Sequence, residues 1–235
     1  MTQRVLMWDG CLNVRDLGGL PLEQGGETRF GVVVRADSIF ELSDAGWRAL
    51  VDYGVRTAVD LRARWEAEDD PPRELPIEVV RFPIDPRDAP PAWHWPSMVD
   101  AYQALLHRYP RELAAAVAAV GRSDGTVVVH CMGGRDRTGL VCGLLLRLAG
   151  VGLETIAADH ALSDEMYAPT VEKWIASGPD EEERERRRRI TRPAGRTLAE
   201  LFAELEERYG SVAAYLQREG GAAEELGRAA ARVQP

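Results

Sequence analysis

The stretch from Gly125 to Gly139 constrains the fold more than any other part of the chain. Its β-branched run, Thr126–His130, predicts a buried strand, the glycines that follow predict a tight turn, and an apolar helix leaves from Arg137. Successive N–H groups in such a turn, followed by the start of a helix, form an arrangement that binds anions. The stretch therefore predicts a strand–loop–helix unit with an anion site in its loop.

Two side chains give this loop its chemistry. Cys131 follows the strand directly, and Arg137 comes six positions later. A guanidinium can grip two phosphoryl oxygens at once. A helix N-terminus and a nearby cation favour the thiolate form of cysteine, which is the nucleophilic form. The pattern predicts attack of Cys131 on phosphorus, and the alternative is an inert buried cysteine.

The string from His130 to Gly139 resembles the signature loop of cysteine-dependent protein tyrosine phosphatases, and it is most similar to the bacterial and mycobacterial-type family. Three further segments resemble N-terminal landmarks of that family: Asn13–Gly19, Arg35–Asp37 and Val59–Arg62. The resemblance therefore covers roughly the whole chain. The family typically has lysine where this chain has Arg135, a position linked in the family to acceptance of phosphoinositides as well as phosphoproteins.

The resemblance implies a phosphomonoesterase, most directly a protein tyrosine phosphatase, with a phosphocysteine intermediate and no cofactor or metal. A dual-specificity or phosphoinositide phosphatase is the nearest alternative, and a phospho-binding module without turnover is another. A sulfurtransferase also uses a loop cysteine, but the Arg-Thr-Gly helix start suits a phosphoryl group better. The loop residues expected to bind phosphate are Met132, Gly133, Gly134, Arg135, Asp136 and Arg137.

Two aspartates are candidates for the general acid that protonates the leaving oxygen. Asp136 lies inside the loop, where the resembled family is thought to carry its acid. Asp85 follows a predicted strand, as in superfamily members that carry the acid on a separate loop. We favour Asp136 and leave Asp85 open. Asp85 also begins a proline-rich segment, 85–96, whose aromatic residues are either a flap over the substrate or packing against the sheet edge.

Five further residues are expected to support the loop. His130 is expected to bond the loop backbone, and Thr138 to hydrogen-bond the sulfur. Asp60 and Arg62 lie at the end of a predicted strand, and ligands of parallel sheets gather beyond such ends. Arg15 is either a support of the phosphate site or part of a turn that ties down the N-terminus.

Strands alternate with helices along the chain, which predicts an α/β fold with a mainly parallel sheet flanked by helices. We expect one domain, 1–235, with closing C-terminal helices. The charge run 180–189 predicts an exposed helix with ion pairs four residues apart. That helix is either a solvated surface or part of a helical lid, 166–193, over the site. The charged stretch 62–70 predicts a solvated loop or helix.

Composition excludes several classes of function. The net charge of −9 disfavours a nucleic-acid or anionic-membrane surface. No apolar segment approaches the roughly 18 residues of a membrane span, and no secretory signal is visible. Three cysteines do not make a disulfide framework. We expect a cytoplasmic protein that acts on a phosphorylated protein, with leaderless secretion left open and the oligomeric state not indicated.

Overall fold

The computed structural model describes residues 4–68, 70, 74–85, 98–191 and 197–235. Within these residues, five strands form one sheet in the order β1-β2-β5-β3-β4. β1 pairs antiparallel with β2, and the other neighbours pair in parallel. The predicted α/β fold with a mainly parallel sheet is confirmed. The strands are β1 Arg15–Asp16, β2 Val33–Ala36, β3 Val55–Asp60, β4 Glu78–Arg81 and β5 Thr126–His130.

Alternating side chains of β5 face two separate hydrophobic cores. Val127 and Val129 join the core that lies under α3, α4 and the C-terminal helices, whereas Val128 joins the core under α1. A strand buried on both faces reads as a continuous apolar run, as this one does. The described helices are α1 Asp44–Asp52, α2 Met98–Arg108, α3 Pro110–Val120, α4 Asp136–Leu148, α5 Leu153–Ala176, α6 Glu181–Ile190, α7 Thr197–Tyr209, α8 Val212–Arg218 and α9 Ala223–Val233.

The register of the sheet brings three strand ends together. His130 at the end of β5 lies opposite Ala36 at the end of β2 and Asp60 at the end of β3. The residues that follow these positions, including Cys131 and Arg62, therefore emerge at one edge of the sheet. This edge is where the sequence predicts the site.

Local interactions at the first turn fix the start of several helices. Ser43 caps α1 by accepting from the Gly46 N–H, and Asp180 caps α6 by accepting from the Glu183 N–H. Pro110 occupies the first turn of α3, where its missing N–H costs nothing. Local capping chemistry thus sets these boundaries.

Two local expectations differ from the structure, one in α6 and one in the stretch 62–70. Of the pairs expected four residues apart in α6, Glu183–Arg187 forms, while several other arginines pair three residues away. The interpretation of 62–70 as solvated is wrong for Glu66, which lies in a short 3-10 helix, Arg64–Ala67, and whose side chain is only 6% exposed.

Candidate active site

Cys131 lies directly after β5 and is almost fully buried, with 2% of its surface exposed. Its strand side packs into the larger core, but its surroundings are not purely apolar. Burial lowers the pKa of Arg137, yet the electrostatic interaction with Cys131 and the hydrogen bond and charge of Glu66 outweigh burial and raise it. The interaction with Cys131 also contributes to the raised pKa of Tyr167, after burial and Asp37. The sulfur therefore sits near a guanidinium and a phenol.

Buried side chains hold the carbonyl groups of the loop. Asn13 Nδ2 donates to the carbonyls of Gly133 and Gly134 at 3.0 and 3.1 Å, and Arg35 Nη2 donates to Gly134 O at 2.9 Å. Gly134 has φ +61, and a Cβ there would lie 2.3 Å from Ala36 O, so the position requires glycine. Buried side chains therefore fix the loop through hydrogen bonds to its carbonyl oxygens.

Four N–H groups of the loop differ from these carbonyl groups. Those of Met132, Gly133, Gly134 and Arg137 donate to no acceptor within the described residues. Unpaired N–H groups at a glycine turn and a helix start form a cradle for an anion. The loop can therefore accept a phosphoryl group through its backbone.

Arg137 is held by a buried carboxylate. Its two terminal nitrogens both donate to Glu66, with Nη2 lying 2.8 Å from Oε1, and Nη1 also reaches Ile84 O at 3.2 Å. Glu66 is itself fixed by the Ala63 N–H at 2.7 Å. No acceptor for Nε is seen in the described part of the chain. Nε and the second hydrogen of Nη2 share one edge of the guanidinium, which leaves that edge for two oxygens.

Asp136 is the first residue of α4, and its side chain is 42% exposed. Tyr102 Oη donates to Asp136 Oδ1 at 2.6 Å. Burial raises the pKa of Asp136, but the charge of Arg135 and the Tyr102 hydrogen bond outweigh burial, so the pKa is lowered. Asp136 is therefore an ionised carboxylate at neutral pH that lies on the loop itself.

Asp85, the rival acid, is the last described residue before a gap. Its carboxylate accepts from the indole Nε1 of Trp65 at 3.1 Å, and its carbonyl accepts from Tyr109. Its neighbour Ile84 contacts Arg137, so Asp85 also belongs to this region. The rest of the proline-rich segment, 86–96, lies outside the described residues.

Arg135 reaches across to α5. Its Nε lies 2.7 Å from Asp164 Oδ1, and its Nη1 lies 3.9 Å from Asp136 Oδ1. The arginine that replaces the family lysine thus pairs with carboxylates on two elements.

Arg15 and Asp16 bond different parts of the molecule. Arg15 donates to Asn13 Oδ1 at 2.6 Å, and Asn13 in turn holds the loop carbonyls, so Arg15 acts on the loop through Asn13. Asp16 instead accepts from Gly18, Gly31 and Tyr53 and ties down the N-terminal turn. Both readings of this segment therefore have a counterpart in the structure.

Asp60 and Arg62 form a buried pair below the loop. Arg62 Nη2 lies 3.0 Å from Asp60 Oδ2 and also bonds Asp70 at 2.7 Å. The guanidinium lies 4.2 Å from the centre of the Phe40 ring. Arg62 lines a cavity of about 330 Å³ next to Met132, with its charge shared between two carboxylates.

His130 and Thr138 flank the loop and are both fully buried. The His130 ring packs against Phe40, and burial lowers its pKa despite the charge of Asp60, so the imidazole is neutral. The Thr138 hydroxyl has no hydrogen-bond partner among the described residues, the Cys131 sulfur included. The expected bond from Thr138 to the sulfur is therefore not formed here.

A second cavity, of about 570 Å³, lies between the loop and helices α5 and α6. Its walls from α5 are largely apolar or aromatic, and Arg188 of α6 and Thr191, which follows α6, also line it. The segment 166–191 thus forms one wall beside the loop, and its motion as a lid stays a prediction. The lining residues from the loop are Gly133, Arg135 and Asp136, and those from α5 include Tyr167, Ala168, Val171, Trp174 and Ile175.

Sequence reasoning missed three residues that contact the loop or its acid, Glu66, Tyr102 and Asp164, and a fourth, His160, that hydrogen-bonds Tyr102. Each lies on an element that no pattern in the sequence connects to the loop. Glu66 sat in a stretch interpreted as solvated, and a lone tyrosine or histidine in a helix is typical of many cores. Only the fold brings them together.

Two further features of the described residues concern metals and membranes. No group of three or more His, Cys, Asp or Glu side chains is placed to hold a metal ion in residues 4–68, 70, 74–85, 98–191 and 197–235. Over the same ranges, no helix combines the length and the apolar character that a membrane crossing needs.

The sequence is similar to those of known tyrosine phosphatases. The profile of the tyrosine phosphatase family matches residues 6–232. A tyrosine-protein phosphatase from Nostoc commune is 33% identical over 139 residues, which are 55% of this chain and 47% of that protein. A putative tyrosine-protein phosphatase from Cupriavidus necator is 28% identical over 178 residues, 69% of this chain and 64% of that protein. The matched region thus spans about half to two thirds of these relatives.

Proposed function

The chain belongs to the tyrosine phosphatase family, and on that premise we propose that it is a cysteine-dependent phosphomonoesterase acting on phosphotyrosine in proteins. The proposal depends on one observation: Cys131 and Arg137 lie close together on the same loop. One edge of Arg137 is fixed by Glu66 and the other edge is left for phosphoryl oxygens. The N–H groups of Met132, Gly133, Gly134 and Arg137, which have no acceptor among the described residues, supply further donors.

In the first step the Cys131 thiolate attacks phosphorus, and an S–P bond forms as the P–O bond to tyrosine breaks. Asp136, protonated in the substrate complex, gives its proton to the leaving phenolate. In the second step a water attacks the phosphocysteine while Asp136 takes its proton. The P–S bond breaks, inorganic phosphate leaves, and the thiolate is restored. Arg137 and the loop N–H groups hold the phosphoryl oxygens throughout.

The larger cavity favours an aromatic leaving group. Its wall of Tyr167, Val171, Trp174 and Ile175 adjoins the general acid and suits a flat apolar ring. The two arginines in that cavity are paired, Arg135 with Asp164 and Arg188 with glutamates of its own helix. Paired guanidiniums have less charge to offer a polyphosphorylated headgroup, so phosphotyrosine is the substrate that we place first.

Hydrolysis of 4-nitrophenyl phosphate tests the enzyme proposal. Cys131→Ser should lower kcat by at least about a thousandfold, because a hydroxyl is a far poorer nucleophile here. Cys142→Ala is the matched control, since burial raises the pKa of Cys142 to about 12 and keeps it a thiol inside α4. Retained activity in Cys131→Ser, or binding of a phosphotyrosyl peptide without turnover by the unmodified protein, would refute an enzyme of this class.

Asp136→Asn and Asp85→Asn separate the two candidate acids. Loss of the acid should slow the hydrolysis of phenyl phosphate, whose phenolate is a poor leaving group, far more than that of 4-nitrophenyl phosphate. The 4-nitrophenolate ion leaves without being protonated. We expect this pattern for Asp136→Asn alone.

Phosphotyrosyl and phosphoseryl peptides and a phosphoinositide, assayed side by side, test the substrate class.

A further inference from the structure

A phenol and an imidazole lie in line behind the Asp136 carboxylate. Tyr102 Oη, on α2, is 2.6 Å from Asp136 Oδ1 and 3.1 Å from Nε2 of His160, on α5. Tyr102 and His160 are each 1% exposed, so substrate does not touch them. We propose that Tyr102 and His160 are positioning residues for the general acid, which hold the Asp136 carboxylate in place and stabilise its ionised form. The inference rests on the proposed function of Asp136.

The direction of the two hydrogen bonds follows from counting hydrogens. Tyr102 has one hydroxyl hydrogen, and the ionised Asp136 carboxylate can only accept it. His160 must then carry its hydrogen on Nε2 and donate it to the Tyr102 oxygen. Nδ1 of His160 is left as a bare nitrogen, and it has no hydrogen-bond partner among the described residues. The order is therefore His160 to Tyr102 to Asp136, with every donor pointing toward the acid.

Packing holds the imidazole in this orientation. The rings of Tyr102 and His160 meet edge to face with centroids 5.8 Å apart. On its other side the imidazole lies against Gly139, where a Cβ would come within 2.5 Å of His160 Cε1 and 2.6 Å of Nδ1. The glycine of the Arg-Thr-Gly motif thus makes room for the ring that supports Tyr102.

Charges around the imidazole keep it neutral. Burial lowers the pKa of His160 to about 3, and the nearby Arg35 acts in the same direction. A neutral ring can keep the same tautomer across the working pH range, which a histidine titrating near neutrality could not. Tyr102 stays protonated as well, because burial and the charge of Asp136 raise its pKa.

The carboxylate at the end of this line faces charged groups from several elements. Burial raises the pKa of Asp136, whereas Arg135 and the Tyr102 hydrogen bond lower it. Removal of the Tyr102 hydroxyl would therefore raise the pKa of Asp136 and loosen its carboxylate. The groups that face Asp136 are Arg135 and Arg137 on the loop and α4, Tyr102 on α2, and His160 and Asp164 on α5.

Tyr102→Phe keeps the ring and removes only the hydroxyl. We expect the alkaline limb of kcat for phenyl phosphate, which reports loss of the Asp136 proton in the substrate complex, to move up by about one pH unit. The plateau for phenyl phosphate should fall several-fold, because the carboxylate is no longer held. For 4-nitrophenyl phosphate the plateau should change by less than about twofold, since that leaving group needs no acid.

Three further variants test for a merely structural effect. Tyr215→Phe removes another buried hydroxyl bond, to Leu106 O at 3.0 Å, far along the chain from the loop, and should leave both profiles unchanged. His160→Leu should shift the limb in the same direction as Tyr102→Phe. His160→Gln keeps an N–H for the Tyr102 oxygen and should restore most of the original profile.

A double variant ties the effect to Asp136. In an Asp136→Asn background, Tyr102→Phe should have no further effect on the phenyl phosphate rate, because the group that it serves is gone. An unmoved limb in Tyr102→Phe, with activity intact and Asp136→Asn selective for phenyl phosphate, would overturn this inference and leave the proposed function standing. Equal losses on both substrates in Asp136→Asn would overturn the acid assignment and this inference together.

Discussion

Arg137 shows how one side chain is prepared for its ligand. An isolated arginine loses rotamer freedom when it grips an anion, and that loss reduces affinity. Here Glu66, Leu61 O and Ile84 O fix the guanidinium beforehand. In the part of the chain that the structure describes, no acceptor lies on the edge formed by Nε and Nη2, and that edge has the spacing of two phosphoryl oxygens. Arg137 therefore loses its rotamer freedom when the protein folds, and substrate binding does not have to supply that free energy.

Glu66→Gln tests this preparation. The amide keeps the shape of the side chain but loses the charge and one acceptor, so Arg137 should be held less firmly. We expect kcat/KM for 4-nitrophenyl phosphate to fall by about 10- to 100-fold, with weaker competitive inhibition by inorganic phosphate. Glu68→Gln, at an exposed position just after the same short helix, is the matched control. Tighter phosphate binding in Glu66→Gln would instead identify Glu66 as a competitor of the phosphoryl group.

At the scale of elements, α5 and α6 form the wall that faces the loop. α5 contacts the loop through Asp164 and the acid network through His160. α6 carries its charges mostly in pairs with itself, for example Glu183 with Arg186 and Arg187. Surface pairs of this kind contribute little each, so the stability of α6 depends strongly on its ends.

Asp180→Ala tests the N-terminal end of α6. The Asp180 carboxylate accepts from the Glu183 N–H at 2.8 Å, and alanine leaves that donor without a protein partner. We expect amide hydrogen exchange in residues 181–190 to speed up by roughly fivefold, while exchange in α4 stays unchanged. Asp180→Ser, which can cap in the same way, should exchange at the original rate. Equal acceleration in both variants would assign the effect to lost charge rather than to the lost cap.

At the scale of the whole molecule, one buried carboxylate joins three distant parts of the chain. Asp159 of α5 pairs with Arg4 near the N-terminus, Arg15 of β1 and Arg35 of β2. Because three guanidiniums share this one carboxylate, the cluster behind the loop is positive. A protein of net charge −9 thereby places positive charge behind its anion cradle.

Acid should weaken the fold through this cluster. Burial raises the pKa of Asp159, but its three arginines outweigh burial and lower it far below the ordinary value. A lowered carboxyl pKa adds stability that is complete above about pH 4, the ordinary value, and is lost progressively as the pH falls through the folded-state value. We therefore expect the free energy of unfolding in urea to fall steeply below about pH 4.

Asp159→Asn isolates the contribution. It should lower the free energy of unfolding at pH 7 by about 3–5 kcal/mol, because two buried arginines lose their counter-ion. The remaining dependence on pH below 4 should be shallower than in the unmodified protein. Asp52→Asn makes the same chemical change at an exposed position and should alter neither quantity by much. A pH dependence that is unchanged in Asp159→Asn would place the acid-sensitive groups elsewhere.

The sequence by itself determined the features that depend on neighbours along the chain. The apolar run of β5, the glycine turn and the Arg-Thr-Gly start of α4 are local, and so are the caps of α1 and α6. The sequence was therefore enough to predict the α/β fold, which the structure confirms. It also placed Cys131, Arg137 and Asp136 on one loop, although their roles remain proposals.

Only the tertiary structure decided which groups surround that loop. Glu66 and Arg137 are 71 positions apart, and Tyr102 and Asp136 are 34 apart. Charged and aromatic side chains of this kind occur throughout the sequence, so their positions alone do not identify partners. Partnership depends on strand order, helix packing and burial, which make a contact between distant residues strong by removing water from it. The reactive loop is therefore encoded locally, whereas the groups that hold and tune it are assembled by the fold.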